Sequence, residues 1–163
     1  VQTCALPIYL GTVEFNSSTL YRYATVNAIE LAAHMNPEET AAAVRAFAEA
    51  FIRSMPTGKQ NSFANRTLPD AVYVAVRGDQ PVNLCGAFER AVRPEDGSGY
   101  IVPSKKQLAA YAQQMYRDYT GGPVHAFSIG DGLETLAPAM GLNALLEQLA
   151  DAVKAQLDGS GVE

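Results

Sequence analysis

The chain has 163 residues, 48% of them apolar, and a formal net charge of -5. That composition fits one globular domain or a portion of a larger one, and a domain this long buries roughly 70% of its unfolded surface. No run of about eighteen apolar residues is present, which excludes a helical membrane span, and no secretory leader pattern opens the chain.

The first eight residues, VQTCALPI, share no pattern with the rest of the chain. Reverse-translated as GTT CAG ACG TGT GCT CTT CCG ATC, they resemble the tail of a sequencing-library adapter. We therefore set residues 1–8 aside as an artefact and expect natural sequence from Tyr9, inside a protein, with one domain portion over 9–157 and a flexible tail over 158–163. Setting Cys4 aside leaves Cys85 alone. One cysteine makes no disulfide framework or zinc site, so a reducing, cytoplasmic setting is expected, with Cys85 as a small buried hydrophobe.

In chain order, TVEF (12–15) and LYRYATV (20–26) read as strands joined by Asn16-Ser17-Ser18. Asn27 with Glu30 makes a capping-box pattern for a short helix, 28–35. Asn36-Pro37-Glu38-Glu39 is a stronger start: an N-cap, a proline at the first helical position and acids in the first turn. Val44, Phe47, Ala48 and Phe51 come next at helical spacing and predict the buried face of a helix over 37–54, ended by Pro56. AVYVAV (71–76) is apolar on both faces, as a central strand is. Residues 82–92 read as extended. Ser104 with Gln107 predicts the cap of a helix over 105–119, terminated by Gly121-Gly122-Pro123. VHAFSI (124–129) is another strand, and 142–157 a helix with Leu145, Leu146, Leu149, Val153 and Leu157 inward. The irregular alternation of strands and helices predicts α+β.

Charge is unevenly distributed. From Asp118 onward seven acids face Lys154 alone, a balance of -6, and the preceding part sums to +1. Between Glu49 and Asp70 lie Arg53, Lys59 and Arg66 with no carboxylate, in and around SMPTGKQNSFANR (54–66). An acidic chain excludes a surface that coats nucleic acid on all sides, but it leaves room for one basic face. Thr57-Gly58-Lys59 falls short of a phosphate-binding loop, because Arg53 stands where its first glycine belongs and Gln60 where a Ser or Thr belongs. The stretch also leaves a helix, whereas a phosphate loop enters one. It suits a polyanion backbone instead: Gly58 permits close approach, Lys59 is a mobile point charge, and Gln60 and Asn61 are neutral donors. An ordinary polar loop fits the same residues. Tyr21, Arg22 and Tyr23 could form an aromatic and cationic surface that stacks bases, although tyrosines also favour half-buried strands for packing alone. Only His34 and His125 are present, with no partner at metal or catalytic spacing, so no enzymatic role, metal or cofactor is expected.

Taken together, GTVEFNSSTLYRYATVN, MPTGKQNSFANRTLPDAVYVAVRGDQPV and AFERAV resemble the C-terminal half of the CasC family, the backbone subunit of the type I-E CRISPR Cascade complex. The likeness runs from about Tyr9 to the final helix. It implies an RNA-recognition-motif-like, ferredoxin-like palm with part of a thumb hairpin, whose N-terminal half is missing. It further implies a non-catalytic, RNA-binding subunit for antiviral defence, whose copies polymerise along the CRISPR guide RNA (crRNA) beside other Cascade subunits. Target DNA would be met indirectly, through the guide. Carried over by position, Lys59, Gln60 and Asn61 face the guide backbone; Gly58, Arg53, Arg66, Tyr21, Arg22 and Tyr23 are further RNA-binding candidates from their own chemistry. One departure is Gly86, where the resemblance leads us to expect Asn. A non-catalytic α+β domain that binds an acidic protein partner is the alternative. On its own the fragment is expected to be marginally stable, because AVYVAV would lack strand partners.

Overall fold

The computed structural model describes residues 18–55, 67–94, 97 and 99–159. Expectations for 1–17, 56–66, 95, 96, 98 and 160–163 lie outside them, and with these the TVEF strand and the adapter-like opening. Four α-helices and one two-stranded sheet form among the described residues: α1 (Ala28–Ala32), α2 (Pro37–Arg53), β1 (Val72–Val76), α3 (Ile101–Met115), β2 (His125–Ile129) and α4 (Leu142–Gly159). The class is α+β.

Local chemistry sets the helix starts. Asn27 Oδ1 accepts from Glu30 N at 3.1 Å and opens α1. At α2 the reciprocal box closes: Asn36 Oδ1 accepts from Glu39 N at 2.8 Å, and Glu39 Oε2 accepts from Asn36 N at 3.3 Å. Pro37 occupies the first turn, where its missing N–H costs nothing. The buried face of α2 is turned from the expected one. Thr40, Ala41, Val44 and Ile52 are inside, and Phe47 and Phe51 stack on the flank with ring centroids 6.0 Å apart. Small side chains at Ala41, Val44 and Ala48 let α2 lie against the leucines of α4, leaving the bulkier rings to the side.

Every residue expected to point inward from the last helix is buried: Leu145, Leu146, Leu149, Val153 and Leu157, joined by Ala152. With Ala41, Val44 and Phe127 they form the core, and Val74, Val76 and Ile129 from one sheet face pack against it. β1 and β2 run antiparallel, with Val72 opposite Ile129, Val74 opposite Phe127 and Val76 opposite His125. The alternate residues point to the other face, where the Tyr73 hydroxyl lies 3.2 Å from that of Tyr116, beyond the end of α3. β2 is bordered by residues 137–140: Met140 N donates to Ser128 O at 2.9 Å and Ser128 Oγ to Ala137 O at 3.0 Å. β1, expected as a central strand, pairs only with β2 among the described residues.

Three further expectations are corrected. The segment 20–26 forms no strand ladder among the described residues, and Leu20, Tyr21, Tyr23 and Val26 are exposed. Residues 85–88 make a 3-10 turn within the stretch read as extended. Asn83 Oδ1 accepts from Cys85 N at 2.9 Å, a local side-chain bond that competes with strand geometry. The turn sends Leu84 and Ala87 inward and leaves Cys85 exposed, so the thiol is not a core group. Finally, α3 starts at Ile101 because Pro103 is accommodated in the first turn, and Ser104 is inside the helix, donating to Tyr100 O. Gln107 closes no capping box; its Nε2 donates to Ala87 O and Arg90 O, holding the 3-10 turn against α3. At Gly86 a Cβ would collide with the Tyr111 hydroxyl, which gives a packing reason for glycine where asparagine was expected.

Arg77 locks the far end of the sheet. It pairs in bidentate fashion with Asp79 at 2.8 Å, donates to Gln80 O, Thr120 O and Gly121 O, and lies over the Tyr116 ring. At the opposite end Gly130 has φ +82°, and a Cβ there would strike the carbonyl oxygen of Asp70. Gly130→Ala is therefore expected to cost about 2 kcal/mol or more, read as a lower denaturation midpoint at unchanged slope.

Candidate nucleic-acid interface

Of the residues expected to meet RNA, Gly58, Lys59, Gln60, Asn61 and Arg66 lie outside the described residues. The other four, Tyr21, Arg22, Tyr23 and Arg53, are described, and three of them converge on the C-terminal end of α2 and the 3-10 turn.

Arg22 is the centre of that arrangement. Its guanidinium carbon sits 4.3 Å from the centroid of the Phe51 ring. Its Nη1 donates to Ser54 O at 2.7 Å and approaches Met55 Sδ at 3.2 Å. Ser54 caps α2 and donates its own N–H to Ala50 O at 2.8 Å. Arg22 thus contacts three of the last residues before position 56. The adjacent Tyr21 ring packs on Phe88 of the 3-10 turn, centroids 5.5 Å apart and tilted by 50°. Two neighbouring side chains pin one segment to two separate elements.

Arg53, in the last turn of α2, is exposed and forms an i,i+4 pair with Glu49 at 3.1 Å. It complements the negative end of the helix dipole. Tyr23 is 40% exposed. Its hydroxyl titrates above the ordinary tyrosine value because of partial burial and the neighbouring Cys85. Burial likewise raises Tyr21, opposed by a hydrogen bond to the Leu84 backbone. Phe51, Ser54, Met55 and Phe88 were not singled out as site residues from the sequence. Phe51 looked like core, and backbone carbonyls leave no signal in a sequence.

Beyond this cluster, an open, mainly apolar groove of about 500 Å³ is lined by Val26, Leu31, Ala43 and Phe47, with Glu30 as its one charged residue. His34 is exposed after α1, and His125 stacks on Phe127 in β2. Among the described residues no cluster of His, Cys, Asp and Glu could hold a metal ion, and no helix is long and apolar enough to cross a membrane.

The fold is that of chains found in solved CRISPR surveillance complexes. The chain is similar to a chain of a solved "CRISPR RNA-guided surveillance complex" (29% identity, TM-score 0.69), covering 78% of this chain and 50% of that one. It is also similar to a chain of a "CRISPR RNA-guided surveillance complex, pre-nicking" (31% identity, TM-score 0.67), covering 78% of this chain and 39% of that one. This chain therefore spans half or less of the length of those proteins. It belongs to the CT1975-like protein family, which matches over residues 8–155. A comparison with curated proteins gives no match.

The raised phenols carry a prediction. Folding favours the protonated form of Tyr21, so its contribution is complete below pH 10.0 and is lost as pH rises through the higher folded value. Tyr21→Phe should leave stability near neutral pH little changed, retain the Phe88 contact and remove one late-titrating phenol from an alkaline absorbance titration.

Proposed function

We propose that this chain is the C-terminal part of a CasC-type backbone subunit, which grips CRISPR guide RNA through base-independent contacts and polymerises along it beside other Cascade subunits. The observation that carries this reading is the fold it shares, over 78% of its length, with chains of two RNA-guided surveillance complexes. In this reading the two-stranded sheet belongs to an RNA-recognition-motif-like palm. Target DNA is reached only through the guide, and the subunit holds RNA without cutting it.

Physical chemistry supports the same site. A subunit that presents any guide must hold sugar and phosphate and leave the base edges free for pairing. Lysine, arginine, glutamine and asparagine at positions 53–66 are suited to that task, and an aromatic flank such as Tyr23 tolerates any base. Such contacts release counterions, so affinity for single strands falls with salt by a slope of about 0.7 per neutralised phosphate.

The test is fluorescence anisotropy of the full-length subunit with guide-length RNAs of unrelated sequence across a salt series. Similar affinities for all sequences are expected. Replacing Arg53, Lys59 and Arg66 together by Ala should flatten the salt slope by about two units, at about 0.7 per phosphate. An unchanged slope removes these residues from the interface, and preference for an acidic peptide over RNA supports the scaffold alternative. Arg53 also carries its own check: releasing it from Glu49 by Glu49→Gln should tighten RNA binding about twofold at low salt, the size expected of one exposed ion pair.

A further inference from the structure

We infer that Arg90, Arg93 and Lys106 form a contact for the phosphodiester backbone of a nucleic acid, at the junction of the 3-10 turn with α3. The inference rests on the RNA-binding reading above and adds to it a site made wholly of described residues.

With 17 acids for 12 Lys and Arg, this chain has more carboxylates than its cations need. Arg53, Arg77, Lys105, Arg117 and Lys154 each lie within 3.6 Å of one. Arg22 is occupied by Phe51 and Ser54 O. Arg45, half-buried in α2, and the exposed Arg90, Arg93 and Lys106 form no ion pair among the described residues.

The three exposed ones are brought together by the fold. Gln107 Nε2 donates to Ala87 O and, at 3.3 Å, to Arg90 O, which fastens the exit of the 3-10 turn to α3 one residue from Lys106. Arg93 follows three residues after Arg90, a reach of about 10 Å at most. Lys105 is committed to Asp131, and Lys106 stands exposed beside it. The first turn of α3 carries no acid. Glu89 is the one acid among residues 85–94, and the three cations outnumber it; Glu95 and Asp96 come next in the chain, outside the described residues.

The neighbouring side chains favour a nucleic acid over an acidic peptide. Phe88, two residues before Arg90, packs on Tyr21 with centroids 5.5 Å apart, and the phenol of Tyr23 lies near enough to Cys85 to feel its charge. Aromatic rings therefore flank the 3-10 turn, and cations follow it. Single-stranded nucleic acid offers the matching pair of groups, flat bases and phosphates, whereas a peptide rich in carboxylates offers only the charge. Arginine at 90 and 93 presents planar forks for phosphate oxygens, and lysine at 106 a point charge. Because Gln107 holds the Arg90 backbone in advance, less ordering is left to be done on binding.

The experiment measures anisotropy against salt for the full-length subunit with a guide-length RNA and, separately, with a DNA duplex, since guide and target share this backbone. Replacing Arg90, Arg93 and Lys106 together by Gln should flatten the slope on RNA by about two units, at about 0.7 per phosphate. Thermal stability should stay unchanged, because all three side chains are exposed. A slope flattened on the duplex alone assigns the contact to target DNA instead of the guide. Arg90→Lys with Arg93→Lys retains the charge and should keep the wild-type slope. Lys106→Gln alone should lower it by about 0.7, and keeps the test open should the triple variant fold poorly. Gln107→Ala should weaken binding about threefold, the size of one modest hydrogen bond, at unchanged slope. An unchanged slope on both nucleic acids in the triple variant overturns this inference alone, and the functional reading stands if the Arg53, Lys59 and Arg66 variant still flattens it. A wild type that binds neither RNA nor duplex overturns that reading, and this inference with it.

Discussion

The C-terminal end of α2 is the point at which a distant segment and the helix depend on one interaction. A helix must stop with unpaired carbonyls, and something must answer them. Here the answer comes from a segment about thirty residues upstream in the chain, through the Arg22 guanidinium on Ser54 O and Phe51. Because Tyr21 is packed on Phe88 at the same time, the segment 18–26 is held to α2 and the 3-10 turn without a strand partner among the described residues. That arrangement explains how residues with strand-like composition can be ordered side by side with exposed tyrosines.

What holds α2 itself in place is the seam with α4. Lys154, in the second half of α4, reaches Glu38 in the first turn of α2 at 3.6 Å, and the two helices pack along their lengths, so they run antiparallel. The N-terminus of α4 therefore lies toward the end of α2 that carries Arg22 and Arg53. Its apolar stripe sets the height of α2 over the sheet, and Phe127 and Val74 complete the contact from below.

Legibility in the sequence tracked locality. Asn36, Pro37 and Glu39 dictate the start of α2 whatever surrounds them, and the leucine spacing of α4 suffices to name its inward face. Both strands were readable because flanking glycines and prolines isolate short apolar runs. Expectations failed where a distant partner decides. The face of α2 turned because α4 accepts small side chains and not Phe47. Ser104 looked like a cap because nothing local indicates that Pro103 is accommodated in a first turn. Cys85 looked buried by composition, but the Asn83 side chain starts a turn that puts Leu84 and Ala87 inside instead. At the interface, residue types were legible but their division of labour was not. Arg22 and Arg53 read alike as cations, yet one is stacked on an aromatic ring and the other is exposed beside Glu49.

The proposed grip on RNA by an acidic protein is not a contradiction once the charges are placed on this frame. The carboxylate beside Arg53 is Glu49, at 3.1 Å. Lys154 pairs with Glu38 at the start of α2, so its neighbours Asp151 and Asp158 lie toward that end of α2 rather than toward Arg53. The screening length at physiological salt is about 8 Å, so these carboxylates contribute little field where Arg22 and Arg53 sit. The end of α4 facing that region is its N-terminus, whose partial positive charge favours phosphate. Net charge governs how a protein behaves far from a ligand, while the local field governs any contact made at one helix end. Several of the remaining cations are held in pairs elsewhere, Arg77 by Asp79, Lys105 by Asp131, Arg117 by Asp118 and Lys154 by Glu38, so they add little net field of their own.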